Sequence, residues 1–191
     1  MVGPSLRGPT HIAVLGLLMT VINNVDPLYA SSALIDRSFM NSSMFSSRTD
    51  TRVLGYLGRA LSLELSGVQL YATQARLVET WGLNGPAEKL RAESREELGH
   101  ADRIIARMLG HGVAPNASQL RPVKLGRDLA ELLLIDQAFE QDLIRLYSDA
   151  VRHCARAGLR DDRMFFEGLL QEEQEHACAL AAWLAELGHE P

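Results

Sequence analysis

Glu96-Glu97-Leu98-Gly99-His100-Ala101 returns 76 residues later as Glu172-Glu173-Gln174-Glu175-His176-Ala177. Upstream, Glu64 and Tyr71 repeat at the same offset as Glu140 and Tyr147. Each half of the chain therefore reads Glu, seven residues to Tyr, then Glu-x-x-His with its Glu 33 residues after the first. Positions i and i+3 share one face of a helix. Each half thus supplies two carboxylates and one imidazole, and the two halves together supply a six-ligand set for a two-metal centre inside a bundle of four helices.

The surrounding text is helical from Thr49 onward. Val53, Leu57, Ala60, Leu61, Val68, Tyr71, Ala75 and Val78 recur at intervals suited to one helical face. That pattern predicts a first helix over about 50–82, stopped by Gly82 and the Asn84-Gly85-Pro86 turn, with Pro86 opening the next helix. Further helices are expected over about 86–110, 128–157 and 160–187, each closed by a glycine. The first and last pairs are joined by a few residues, so each pair is an antiparallel hairpin. The central linker, with Pro115 and Pro122, has about 16 residues and stretches to about 50 Å at 3.3 Å per residue. A 26-residue helix is about 39 Å long, so the linker can cross the whole bundle. Two hairpins joined by one long crossover is the ferritin-like arrangement, an all-α fold. The repeat then becomes a pseudo-twofold axis between hairpins.

Composition narrows the function. The chain has 191 residues, 47% hydrophobic and 23% charged, enough for one folded domain. A formal net charge of −5 argues against a nucleic-acid partner. Cys154 and Cys178 suggest no disulfide framework, which suits a reducing cytoplasm. Residues 1–48 differ from the rest, being rich in Ser, Gly, Pro and Asn, and form an N-terminal extension to the bundle at 49–188. Three readings stand for it: a start assigned too early, with Met40 or Met44 as the initiator; a targeting segment; or an arm. The apolar run Ile12–Ile22 is too short to span a bilayer, so no membrane association is expected. Export would require residues 1–33 to act as a signal segment.

Glu64, Glu140, Glu173 and His176 all fall within apolar stripes. Carboxylates on an inward face are costly unless paired or metal-bound. Four glutamates carry four negative charges, which two divalent cations cancel. Oxygen and nitrogen donors suit iron or manganese, and zinc is compatible. By symmetry Glu64 and His100 cap one metal, Glu140 and His176 the other, and Glu97 and Glu173 bridge both. Asp136, one turn before Glu140, is placed to accept a hydrogen bond from a ligand histidine. Tyr71 and Tyr147 lie two turns from their glutamates, as hydrogen-bond donors, electron sources or packing residues. Trp81 and Trp183 read as packing, and His111, His153 and His189 as surface residues.

The same residues carry a family resemblance. From Val53 to Gly188 the chain resembles bacterioferritin, in Leu63-Glu64-Leu65 through Tyr71, in Thr80-Trp81-Gly82-Leu83, in Glu93-Ser94 through Glu97, and in His100-Ala101-Asp102-Arg103. The resemblance implies a ferroxidase with two iron ions per subunit, held by Glu64, Glu97, His100, Glu140, Glu173 and His176. It implies a redox-active tyrosine at Tyr71, oxidation of Fe(II) by O2 or peroxide, and ferric mineral inside a homo-oligomeric 24-subunit shell. It also supports the later start. Three departures stand out. Leu98 occupies the position of the family's haem-ligating methionine, so haem binding by that route is lost, and a haem-binding bacterioferritin subunit becomes a candidate partner for co-assembly. Ala92 and Glu96 occupy the family's inner-surface iron site, which is therefore altered. No fifth helix is evident after Gly188, which keeps alive an alternative, a stand-alone dimeric di-metal oxidase or peroxidase without mineral storage.

Overall fold

A computed structural model describes residues 49–116 and 119–188. The extension at 1–48 and His189 lie outside the described residues. Four α-helices make up the described chain: α1 (Thr51–Thr80), α2 (Asn84–Gly110), α3 (Leu129–Ala157) and α4 (Arg160–Glu186). Along their lengths α1 packs on α2 and α3 on α4, and α1 also meets α3. Residues 111–128 connect the hairpins. The architecture is the four-helix bundle of two hairpins and a crossover expected from linker lengths.

Capping chemistry sets the helix ends. Asp50 accepts hydrogen bonds from the backbone N–H groups of Arg52 (2.8 Å) and Val53 (3.1 Å). Asp128 does the same for Glu131 (2.9 Å), while the Glu131 carboxylate reaches back to the Arg127 N–H (2.8 Å). Such caps satisfy donors that the helix leaves free and contribute about 1 kcal/mol each. At the other end of α1, Gly82 takes a left-handed φ of 78°, and the Leu83 N–H reaches the Val78 carbonyl (3.3 Å). Gly158 closes α3 in the same way at φ 71°, a conformation that other residues adopt at a cost. The 76-residue offset that relates the Glu-x-x-His motifs also relates Gly82 to Gly158 and Gly112 to Gly188. The duplication therefore includes its stop signals.

Two expectations at the ends need correction. α2 opens at Asn84, so Pro86 is its third residue and not its first. Proline is tolerated there because the first-turn N–H groups have no partner within the helix; the first such bond runs from Ala87 to Leu83 (3.0 Å). His153 is buried against Asp50 (Nε2 to Oδ1 3.0 Å), and His111 contacts Asp162 (2.8 Å). Neither is a free surface residue; each ties a helix end to its neighbour. In the stripe of the first helix, Val68 is half-buried while Leu70 takes the core position.

The apolar core lies in two parts. One gathers Leu57, Leu61, Ile104, Leu143, Tyr147 and Phe166. The other gathers Tyr71, Val78, Leu90 and Leu132, beside Leu133, Leu180 and Leu184. Between these parts runs a layer of buried acids, Glu64, Glu97, Glu140 and Glu173, each with 0% of its surface exposed. Burying four carboxylates in one layer has no stabilising rationale of its own.

Candidate metal centre

Each helix delivers one or two members of the acidic layer: Glu64 from α1, Glu97 and His100 from α2, Glu140 from α3, and Glu173 and His176 from α4. Two overlapping groups converge, with donor atoms within 4.8 Å of one another. Glu64, Glu97, His100 and Glu173 form one; Glu97, Glu140, Glu173 and His176 form the other. Glu97 and Glu173 belong to both. Their oxygens divide between the imidazoles. Glu97 turns Oε2 toward His100 Nδ1 (3.6 Å) and Oε1 toward His176 Nδ1 (4.0 Å). Glu173 turns Oε1 toward His100 Nδ1 (2.8 Å) and Oε2 toward His176 Nδ1 (3.4 Å).

The outer atoms of the set are already engaged. The Tyr147 hydroxyl donates to Glu64 Oε1, and the Tyr71 hydroxyl donates to Glu140 Oε1. Each tyrosine therefore donates to the glutamate of the opposite half, and Tyr147 makes the same kind of contact as Tyr71. Behind the imidazoles, His100 Nε2 faces Glu172 Oε2 (3.1 Å) and His176 Nε2 faces Glu96 Oε2 (3.0 Å). This is the carboxylate–imidazole pairing that fixes which ring nitrogen is free. Asp136 does not take the role expected of it from the sequence: neither of its oxygens has a hydrogen-bond partner among the described residues, and Glu96 and Glu172 hold the rings.

Among the described residues, eight buried donor atoms of this set have no hydrogen-bond partner: Glu64 Oε2, Glu140 Oε2, both carboxylate oxygens of Glu97 and Glu173, and Nδ1 of His100 and His176. Orphaned buried polar atoms are rare and costly. Here they divide into two sets of four, each with three oxygens and one nitrogen, a donor chemistry that fits two hard-to-borderline divalent cations. Gly67 makes room for the layer. A Cβ at this position would lie 3.2 Å from Glu97 Cγ and 3.0 Å from the Phe139 ring, so a side chain there would displace Glu97.

Burial disfavours a charged imidazole, but Glu173, Glu64 and Glu97 outweigh it and push His100 up to about 12. His176 is likewise pushed up to about 9, chiefly by Glu173 against the effect of burial. The reciprocal effect of the two imidazoles overcomes burial at Glu173 and draws it down to about 2. Burial, then neighbouring carboxylates, raise Glu97 and Glu140. Burial and the charge of Glu140 keep Tyr71 a neutral phenol.

Asp136 and Gln74 are two further buried polar residues, both 0% exposed. Burial pushes Asp136 up to about 8, with Gln74 opposing and Glu93 adding to it. A raised acid is at no disadvantage below its ordinary value of 3.8, and it loses stability as pH climbs from there toward 8. Asp136→Asn is therefore expected to raise Tm more at pH 8 than at pH 4 in thermal melts of the metal-free protein. An equal shift at both pH values would contradict this account of Asp136.

Comparison with known proteins agrees with this architecture. A ferritin-like domain profile matches residues 54–188. Bacterioferritin of Rhodobacter capsulatus is 41% identical over 127 residues, which is 66% of this chain and 79% of that protein. Bacterioferritin of Brucella melitensis is 33% identical over 144 residues, 74% of this chain and 89% of that one. A solved structure of the Rhodobacter capsulatus bacterioferritin, described with a metal-free dinuclear site and a haem iron, superposes with a TM-score of 0.69. That alignment has 39% identity and covers 71% of this chain and 85% of the other. A bundle of two hairpins about a buried carboxylate layer and these likenesses agree: the chain belongs to the ferritin-like family and, within it, to the bacterioferritins.

Proposed function

We propose that this chain is a ferroxidase subunit of a bacterioferritin-type iron store, oxidising Fe(II) at an intra-subunit di-iron site for storage and detoxification. The observation that carries the reading is the division of eight orphaned donor atoms into two sets of four that share Glu97 and Glu173. Iron bound there supplies the electrons that reduce O2 or peroxide. The protein's part is positional. Glu97 and Glu173 offer one oxygen to each position and fix the spacing of the pair. Glu64 and Glu140 each offer one free oxygen, because Tyr147 and Tyr71 hold the other. Glu172 and Glu96 keep both imidazoles with Nδ1 inward. Tyr71 is the redox-active tyrosine that the family resemblance implies, and its hydrogen bond to Glu140 supports that reading.

Storage follows from the family rather than from the site, and the test is direct. After aerobic loading with Fe(II), the full-length protein is expected as a large homo-oligomeric cage that retains iron far beyond two ions per chain. A dimer holding about two ions per chain would instead establish the stand-alone oxidase. Residues 1–48 are read as an extension outside the bundle at 49–188, and the protein as cytoplasmic. Among the described residues no helix is long and apolar enough to cross a membrane.

Haem is not expected as a cofactor of the homo-oligomer. Leu98 projects from α2 with 54% of its surface exposed and offers no donor atom. Reconstitution with haem is expected to give no stoichiometric Soret band; a spectrum with two axial thioethers would overturn the inference from Leu98. Where haem is needed, a haem-binding bacterioferritin partner subunit would supply it.

A further inference from the structure

The sequence duplication makes the six donors symmetric, but the residues behind them are not. Arg103 has Ala179 as its counterpart at the 76-residue offset, and Glu93 has Leu169. Asp136 answers to Ala60, and Gln74 to Ala150. The broken positions sort by end. Glu93 and Glu96 lie within 3.8 Å and 3.0 Å of His176 Nε2. Arg103 lies at the His100 end, where it grips Glu172 with two parallel bonds (2.9 and 2.5 Å). Glu172 in turn holds His100 Nε2. At the other end Glu96 holds His176 with no such clamp among the described residues, and its side chain is 58% exposed. The His176 side chain is 12% exposed, against 5% for His100.

We propose that the two metal positions are unequal, and that Arg103 makes them so: through Glu172 it locks the His100 ring and its ion, whereas the ion at His176 exchanges with solvent. This inference rests on the di-metal reading above. An imidazole owes its fixed orientation and basicity to the carboxylate on its far nitrogen. That carboxylate is only as well placed as its own partners. A forked guanidinium contact is pre-organised and directional, whereas a lone exposed carboxylate gives up side-chain entropy to stay in place. The acidic pair Glu93 and Glu96 adds cation attraction at the open end. That pair speeds arrival at His176, and the missing clamp speeds departure. Arg103 is a positioning residue, since it touches neither donor set.

Release kinetics test the idea. Full-length protein is loaded with Co(II) to two ions per chain, verified by metal analysis, then mixed with excess chelator while the Co(II) absorbance is followed. Wild type is expected to release its ions in two phases of equal amplitude, separated by roughly tenfold or more, the scale on which such supporting carboxylates act. In Arg103→Ala the slow phase is expected to accelerate into the fast one with both ions still bound at the start. Charge alone would do the reverse, because removing a cation near the site should slow release. Arg103→Lys keeps the charge without the fork and is expected to behave like Arg103→Ala. Arg103 is a surface residue with a 44% exposed side chain, so the variants should fold, which helicity checks. A single phase in wild type, or a slow phase that survives in Arg103→Ala, would overturn the proposal while leaving a two-ion centre standing. A chain that binds no Co(II) would bring down the centre itself.

Discussion

Alanine at Glu97 or at Glu173 is expected to remove both ions and abolish rapid Fe(II) oxidation, whereas alanine at Glu64 weakens one position. The asymmetry follows from membership: Glu97 and Glu173 belong to both donor groups, and Glu64 to one. Loss of a carboxylate that merely supports a ligand costs roughly 10–100-fold in metal affinity or activity. Loss of a shared donor should exceed that at two positions together. Stability provides an independent readout. A ligand that binds only the native state adds about 2.7 kcal/mol per site at one hundred times its Kd. Metal should therefore raise the Tm of wild type strongly, that of Glu64→Ala partly, and that of Glu97→Ala hardly at all. Oxidation at the wild-type rate in Glu97→Ala would show that the shared-donor assignment is wrong.

Metal loading at pH 7 is expected to expel at least two protons per chain. His100 and His176, pushed up to about 12 and about 9, are both protonated in the metal-free protein at that pH. Each must give up the proton on Nδ1 before that atom can donate to a cation. Every displaced proton makes apparent affinity rise about tenfold per pH unit. The effect levels for His176 above about 9. Folding stability of the metal-free protein runs the other way. A raised imidazole stabilises fully below its ordinary value of 6.5 and loses that contribution as pH rises through its folded value. Above pH 6.5 the metal-free protein should therefore weaken while the metal-loaded protein gains. Calorimetric titration in buffers of different ionisation enthalpy counts the protons. A count of zero would contradict the protonated state assigned to the two histidines.

Spacing made the fold and the convergence of the six candidate ligands legible because both depend on periodicity along single helices. Glycine stops and linker lengths were enough to order the hairpins, and the i, i+3 rule was enough to pair Glu97 with His100 and Glu173 with His176. What spacing missed were contacts between halves. Glu96 and Glu172 stand beside donor glutamates in the quoted motif, yet adjacent residues on a helix face different ways. Each reaches the histidine of the opposite hairpin, which no single-helix pattern reveals. Tyr147 was ambiguous for the same reason, since its partner Glu64 lies 83 residues away. His153 looked like a surface residue until α1 brought Asp50 to it. Asp136 is expected from its position to accept from a ligand histidine, but burial rather than a histidine governs it.

Glu97 and Glu173 are expected to hold two ions between His100 and His176. Anomalous diffraction at the iron edge, from crystals loaded anaerobically with Fe(II), decides this. Two peaks per chain are expected, one beside His100 Nδ1 and one beside His176 Nδ1, with both shared glutamates between them. A single peak, or none within the acidic layer, would contradict it.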